Sequence, residues 1–331
     1  MEEPIIKIIV LNWNGKKDTL ECLSSLEALS SKPEEIIVVD NGSQDGSQEA
    51  IRQQFPSVTL IETGQNLGFA EGNNVGIRYA LSKKCDYIFL LNNDTVVDPD
   101  ILKSFTLAMK EYPQVGILGA NIYLFEERNK FDHLGGKWNQ KKGSFDLIGL
   151  RQLDDGKQWQ AAQELDYACG CALFIRREVF EAIGLLESRF FLIWEESDFC
   201  FRARRVGFLT MSCPQAKLWH KVSASFVGGK PHSTYFWWRN RLFWIERNCS
   251  LTEKISLYLR VLLPDIAHLY KLRILKTAQL YLLRLLKPKQ SHKKRHERIL
   301  KYRAALEGIK DYSLRRFGNG PNWIYTTKPQ D

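Results

Sequence analysis

Short apolar runs, each closed by polar residues, set the rhythm of the amino-terminal part of the chain. They are Ile5 to Asn12, Glu35 to Asp40, Val58 to Glu62 and Tyr87 to Leu91, and their length and β-branched content predict buried strands. Between them the apolar period changes. Leu20, Leu23 and Leu26 recur at helical spacing, Ala50 and Ile51 fall in a second helix, and a third ends near Leu81. Strands alternating with helices predict an α/β fold built on a doubly wound sheet, whose carboxyl edge is where ligands sit.

The sharpest strand ending is Asn92-Asn93-Asp94, followed by Thr95. One reading makes it a set of hard oxygen donors for Mg²⁺ or Mn²⁺ carrying a substrate diphosphate. The other makes it a turn before the helix that Asp98-Pro99 starts. Two familiar phosphate loops are missing from this edge. Asn12-Trp-Asn-Gly-Lys-Lys-Asp18 has a single glycine where a dinucleotide fingerprint needs several, and no P-loop pattern occurs. Asp40 suits either a base or ribose contact or an Asx turn into Gly42. Gly68, Gly72 and Gly76 allow close approach to a ligand or close helix packing.

Further on, Trp194 to Gly207 reads as a helix opened by acids. Glu195, Glu196 and Asp198 fall in its first turn, which the helix dipole favours, and Asp198 can pair with Arg202 one turn on for roughly a few tenths of a kcal/mol. Between Phe125 and Leu165 the pattern loosens through His133-Leu-Gly-Gly136, which suits an acceptor-side loop or a plain connector. His220 alone reads as a structural histidine or a ligand.

Composition narrows the class. A chain of 331 residues with 44% apolar content holds a large α/β domain with appendages, or two domains. Its 7 cysteines lack paired zinc-like spacing and fit reduced, buried thiols. Met1-Glu-Glu-Pro carries acid where an export leader carries base, so a cytoplasmic chain is expected. The net charge of +9 gathers after Lys221, interleaved with aromatic residues and leucine, which favours an anionic membrane over nucleic acid. From Ile266 to Lys287 a helical wheel places Arg273, Lys276, Thr277, Arg284 and Lys287 on one arc. Tyr270, Ile274, Leu275, Ala278, Tyr281, Leu282, Leu285 and Leu286 fill a broad opposite arc, with Lys271 an exception. The pattern fits a helix lying in a membrane interface, or one packed on the rest of the protein; Lys287 to Arg298 reads as a basic linker.

Leu11-Asn-Trp-Asn14, Val39-Asp-Asn-Gly-Ser43, Asn66-Leu-Gly-Phe-Ala-Glu-Gly-Asn-Asn74 and Leu91-Asn-Asn-Asp94, in that order, resemble the nucleotide-sugar half of family 2 glycosyltransferases. The likeness is to the bacterial rhamnosyltransferase-like branch. It continues through Gly170-Cys-Ala-Leu-Phe-Ile-Arg-Arg177, Phe190-Phe-Leu-Ile-Trp-Glu-Glu-Ser-Asp198 and Trp219-His220. The resemblance, which covers about residues 5 to 250, implies a GT-A fold with a doubly wound mixed sheet, so a catalytic domain is expected over 1–250, followed by the basic amphipathic helical extension over 251–331. It implies donor contacts from Asn12, Asn14, Asp40, Asn66, Gly68, Gly72, Asn73, Asn92 and Asn93, with Asp40 at the nucleobase end. Asn92-Asn-Asp94 stands where the family has its DxD-type motif, so Asp94 becomes the retained metal carboxylate and His220 completes the metal or diphosphate site. Glu195-Glu196 occupies the place of a Glu-Asp pair whose second acid is the general base, which makes Glu196 the expected base, with Glu195 and Asp198 beside it. Gly184-Leu-Leu-Glu187 departs from the family's Gly-Phe-Asp-Glu on the acceptor side.

The implied activity is inverting, metal-dependent transfer of a sugar, with rhamnose a candidate, in cell-surface polysaccharide synthesis. The donor would be a dTDP- or UDP-linked sugar and the acceptor a hydroxyl of a saccharide or lipid-linked substrate. The expected cofactor is Mg²⁺ or Mn²⁺, the expected place the inner face of the cell membrane, and no nucleic-acid partner is expected. A sugar nucleotidyltransferase is the alternative enzyme, though it wants a Gly-rich, Arg-bearing loop that Asn12 to Asp18 lacks. A non-catalytic, membrane-tethered sugar-binding protein is the alternative from another class.

Overall fold

The computed structural model describes residues 3–222, 230–286 and 293–325. The expected alternation is present: β1 (Ile6–Asn12), α1 (Lys16–Glu27), β2 (Glu35–Asp40), α2 (Ser47–Gln54), β3 (Thr59–Glu62), α3 (Gly68–Leu81) and β4 (Tyr87–Asn92). Then come β5 (Thr95–Val97), α4 (Ile101–Glu111) and the wholly buried β6 (Val115–Leu124). The stretch that looked irregular contains a hairpin, β7 (Gly135–Asn139) with β8 (Ser144–Ile148), and a short β9 (Glu164–Leu165). The unit is completed by β10 (Ala172–Arg176), α5 (Arg177–Ile183), α6 (Glu195–Arg205) and β11 (Leu209–His220).

Strand order in the main sheet is β3-β2-β1-β4-β10-β6-β11-β5, with β9 beside β11. The first four strands pair in parallel, while β10 runs antiparallel to both β4 and β6. Register decides what meets at the edge. Asn12 pairs with Asp40 and Leu11 with Asn92, so the polar endings of β1, β2 and β4 stand level. Successive residues of β1 serve opposite faces, as strand geometry requires. Ile8 and Val10 pack with Leu23, Leu26 and Phe105, whereas Ile9 packs with Ile77, Phe180 and Phe199.

Two compact units divide the chain: Met1–Trp138, Phe145–Phe191 and Glu195–Val222 in one, Asn139–Ser144, Leu192–Trp194 and Ser223–Asp331 in the other. The second contains α7 (Pro231–Asn248), α8 (Leu251–Leu257), a π-helical turn over Tyr258–Leu262, α9 (Leu263–Leu286) and α10 (Lys293–Ser313). Within this unit α7 packs against α10. Gly308 permits the approach, since a Cβ there would lie 2.4 Å from the Tyr235 carbonyl oxygen, and the Tyr235 hydroxyl donates to Asp311 at 2.7 Å. Of the expected linker, Lys293 to Arg298 is helical as the start of α10; Lys287 and its neighbours to residue 292 lie outside the described residues. All 7 cysteines are buried and free. Among the described residues no helix is long and apolar enough to cross a membrane.

The glycines of α3 act in packing. A Cβ on Gly76 would stand 2.7 Å from Ile9 Cγ2 and 3.0 Å from Val39 Cγ2, both on stiff β-branched side chains of the sheet. At Gly72 the nearest atom, at 2.7 Å, is the Cδ1 of Leu11, which can swing aside. Alanine would gain about 1 kcal/mol of helix propensity at either site, against an overpacking cost of about 1–3 kcal/mol where the neighbours cannot move. Gly76→Ala is therefore expected to lower the urea midpoint, and Gly72→Ala to lower it less or not at all.

Candidate functional site

At the level edge of β1, β2 and β4, the fully buried Asn12 amide ties the strand ends together. Its Nδ2 donates to Asp40 at 2.7 Å and to the Ser43 hydroxyl at 3.1 Å. Its Oδ1 accepts from the Thr19 hydroxyl at 2.8 Å, and from the Gly15 backbone and Asn93 Nδ2 at 3.2 Å each. Asp40 also accepts from Ser43 N and Gln48 Nε2, at 2.9 and 2.8 Å. Asn14, in the left-handed region at φ 51°, accepts from the Gln44 backbone at 2.7 Å. The turns after β1 and β2 are thereby locked to each other, with Gln48, which lies outside every motif, supplying a further bond.

The neighbouring α3 is entered through Asn66, whose Oδ1 accepts from Gly68 N at 2.8 Å and Asn41 Nδ2 at 3.1 Å. Gly68 has φ 83°, and a Cβ there would lie 2.6 Å from the Phe191 carbonyl, which accepts from Phe69 N and Ala70 N. Only glycine meets both demands. Further along α3, a Cβ on Gly72 would meet Leu11 Cδ1 at 2.7 Å and Asn41 Nδ2 at 3.1 Å, and the Asn73 amide donates to the Phe69 carbonyl within its own helix at 2.9 Å.

Asp94 lies just beyond β4, and β11 delivers His220 to it because His220 pairs with Thr95 on β5. His220 Nε2 stands 3.2 Å from Asp94 Oδ1, and its Nδ1 2.9 Å from Asp132 Oδ2. Asp132 arrives from the end of β6, where its backbone donates to the Ile122 carbonyl and Tyr123 bridges to Phe131. Burial opposes charge on the imidazole, yet the two carboxylates outweigh it and hold the His220 pKa up at about 10. Asp132 is conversely held low: burial pushes it up, and His220, His133 and Arg151 more than reverse that. A carboxylate behind a histidine is the usual device for orienting a metal ligand. Charged and paired with both carboxylates, His220 offers no lone pair, so it can join Asp94 in holding a divalent cation only by giving up its Nε2 proton. Among the described residues no cluster of three or more His, Cys, Asp and Glu is arranged as a metal cage, which leaves the other positions to diphosphate and water.

Glu195 and Glu196 open α6, and each has one buried carboxylate oxygen without a hydrogen-bond partner. Burial, then the neighbouring Glu196, raises the Glu195 pKa well above the carboxylate range. Glu196 is raised by burial to about 7, with backbone N–H groups and His133 pulling it down and Cys169 pushing it up. It packs over Gly170, where a Cβ would stand 3.4 Å from its own Cβ and Cγ. Two carboxylates this close ionise in turn, so near neutrality one holds a proton while the other accepts one.

Asp198 is different. Its carboxylate is fully buried and accepts from Arg202 Nε at 2.9 Å, while the same guanidinium donates to the Ile183 and Leu185 carbonyls at 2.7 Å each. The structure thus brings Asp94 to His220 and Glu195 to Glu196, and makes Asp198 a tie between α6 and the end of α5.

A family model for glycosyl transferase family 2 matches residues 7–184. The chain is similar to the N-acetylglucosaminyl-diphospho-decaprenol L-rhamnosyltransferase of Mycobacterium tuberculosis, 24% identical over 296 residues, which cover 77% of this chain and 93% of that protein. It is similar to the dTDP-rhamnosyl transferase RfbF of Shigella flexneri, 25% identical over 222 residues, covering 67% and 71%. Among solved structures, a mannosyltransferase of Pyrobaculum calidifontis in complex with GDP-Man and Mn²⁺ superposes with a TM-score of 0.56 at 16% identity, covering 95% of this chain and 88% of that one. The fold is GT-A.

Because Asp198 is buried with its partner, its loss should exceed the few tenths of a kcal/mol expected of an exposed helical pair. A hydrogen bond to a charged group is worth about 1.5–3 kcal/mol, so Asp198→Asn is expected to lose about that much stability in urea denaturation and to keep its turnover number.

Proposed function

This chain belongs to glycosyl transferase family 2, and from that premise we propose that it transfers a sugar, rhamnose first among candidates, from a dTDP- or UDP-linked donor to a lipid-linked or saccharide hydroxyl. The observation that carries the catalytic part is the Glu195 and Glu196 pair, with Glu196 raised to about 7, where a general base works best near neutral pH. Glu196 takes the proton of the acceptor hydroxyl as that oxygen attacks the anomeric carbon from the face opposite the diphosphate. The glycosidic C–O bond forms as the sugar–phosphate bond breaks, and one displacement inverts the centre. Glu195, its proton affinity raised by burial and by Glu196, orients the acceptor.

On the leaving-group side, Asp94 and, once its Nε2 proton is lost, His220 would hold a divalent cation, which would supply Lewis-acid neutralisation of the departing nucleoside diphosphate. Asp132 keeps His220 turned toward Asp94. The Asn12, Asn14, Asp40, Asn66, Gly68, Asn92 and Asn93 edge receives the nucleotide, with Asn12 and Asp40 shaping the turns on which it rests. Support for the donor and acceptor comes from the relatives: the Shigella protein is named for dTDP-rhamnose and the Mycobacterium protein for a decaprenol-linked substrate.

The carboxy-terminal helices carry the second part of the reading, peripheral binding to the anionic inner face of the cell membrane. On α9 the apolar side chains of Tyr270, Ile274, Leu275, Tyr281, Leu282 and Leu286 are exposed, while Leu269 and Leu280 are buried. A neighbouring apolar groove of about 350 Å³ is lined by Leu242, Ile245, Ile255, Tyr258, Leu259 and Leu262, among others. An uncovered apolar arc beside Lys271, Arg273 and Lys276 has the make-up of an interfacial helix.

Glu196→Gln should lose about 10²- to 10⁴-fold in turnover with donor affinity intact, and the wild-type rate should fall as pH drops through about 7. Titration calorimetry of the donor with and without Mn²⁺, on wild type and Asp94→Ala, checks the other half: the variant should lose the metal-dependent gain in affinity. Normal turnover in Glu196→Gln would remove the base assignment.

Flotation with vesicles tests the membrane reading. Each Lys or Arg near an anionic surface contributes roughly 1 kcal/mol, so binding to anionic vesicles should exceed binding to neutral ones and be released by salt. Equal recovery with both would contradict it.

A further inference from the structure

The two acids that open α6 follow a contorted stretch of backbone. Between Phe191 and Trp194, three non-glycine residues lie in the left-handed region: Phe191 at φ 63°, Ile193 at 70° and Trp194 at 82°. Bulky and β-branched side chains are rarely found there, and such a conformation persists only where its surroundings dictate it. For Leu192–Trp194 those surroundings come from α7, in the same unit. Trp237, Asn240 and Trp244 recur at helical spacing, so they share one face of that helix. Asn240 is fully buried, and its Nδ2 donates to the Leu192 carbonyl at 2.7 Å and to the Ile193 carbonyl at 2.8 Å, one hydrogen for each. The rings of Trp237 and Trp244 lie 6.3 and 5.7 Å, centroid to centroid, from that of Trp194. Which end of the amide meets the carbonyls is fixed in turn, because Asn240 Oδ1 accepts from Arg239 Nε at 3.0 Å. That guanidinium is buried as well, donating to the Gly318 carbonyl at 2.6 Å and lying 4.8 Å from the centroid of the Phe236 ring.

We propose that Asn240 is a positioning residue for the base: by holding two successive carbonyls it fixes the left-handed turn from which α6 starts, and so the direction in which Glu195 and Glu196 leave the chain. Glu195 is the next residue after Trp194, and the backbone between them turns only about φ and ψ. Released from Asn240, Ile193 has a steric reason to return to negative φ, and the acids turn with it. Glu196 has little room for such a movement, since its side chain lies over Gly170. Downstream, the Asp198 and Arg202 pair holds the body of α6, so its first turn is fixed from both ends.

The inference rests on Glu196 being the base, and the experiment separates the two. Asn240→Asp keeps the shape of the side chain and the bond from Arg239 but cannot donate. It should lower kcat about 10²-fold, the loss that a displacement of about 1 Å brings, with donor affinity unchanged. A double-mutant cycle gives the readout that a general loss of stability would not move. In the Glu196→Gln background, Asn240→Asp should cost no further turnover, because the group it aligns is already gone. An equal loss in both backgrounds overturns the proposal, as does full turnover in Asn240→Asp alone. A second variant acts on the turn and leaves Asn240 and Arg239 in place: Ile193→Pro, which locks φ near about −65°, should show the same loss of kcat at unchanged donor affinity, and normal turnover in it overturns the proposal. If Glu196→Gln keeps its turnover, the base assignment fails and takes this inference with it. Glu196→Gln inactive beside a fully active Asn240→Asp rejects only the role of Asn240.

Discussion

The site depends on one buried amide. Asn12 joins four elements through its side chain: the ends of β1 and β2, the first turns of α1 and the residues after β4. Each backbone turn at this edge has to leave the sheet without stranding its polar groups, and a buried unpaired donor or acceptor costs about 1–3 kcal/mol. Asn12 removes several such losses at once, and in doing so it determines where Asp40, Ser43 and Asn93 stand. The turns that leave this sheet edge are therefore held to one another by side-chain hydrogen bonds.

The acidic end of α6 is built on the opposite principle. Glu195 and Glu196 each keep a buried oxygen without a hydrogen-bond partner, as do the Asn121 amide, His133 Nδ1 and Trp159 Nε1 in the same unit. Such an arrangement lowers stability and raises the proton affinity of both acids. Asp198, one turn along the same helix, does the reverse: fully paired through Arg202, it anchors the helix that carries its unpaired neighbours. Stability is concentrated in one acid so that two others can remain unsatisfied.

How much of this is legible in sequence follows from how local each feature is. Strand endings and caps are written within a few residues, so the β1 to β4 alternation and the Asn92-Asn93-Asp94 ending could be read directly. Burial is not local: the spacing of Asp198 and Arg202 announces a pair, but says nothing of the carbonyls of Ile183 and Leu185 that enclose it. Asp132 had no legible signal, and His133 was legible only as part of a loosened stretch. They sit where apolar periodicity fails, and Asp132 meets His220 across 88 residues only because β11 crosses back beside β6 and β5. Gly72 and Gly76 were open to two readings because glycine permits both, and the position of Leu11, Ile9 and Val39 beneath α3 decided for packing.

The exposed arc of α9 has a consequence for the protein in a tube. Its leucines and tyrosines are kept from one another by like charge on the same helix, and the range of that repulsion shrinks from about 10 Å at 0.1 M salt to about 3 Å at 1 M. High ionic strength, often chosen to keep basic proteins off resins and nucleic acid, would here take away the colloidal barrier while strengthening apolar contact. Purified stocks should therefore stay clear at low salt or in mild detergent and turn cloudy as salt rises, the reverse of ordinary salting-in.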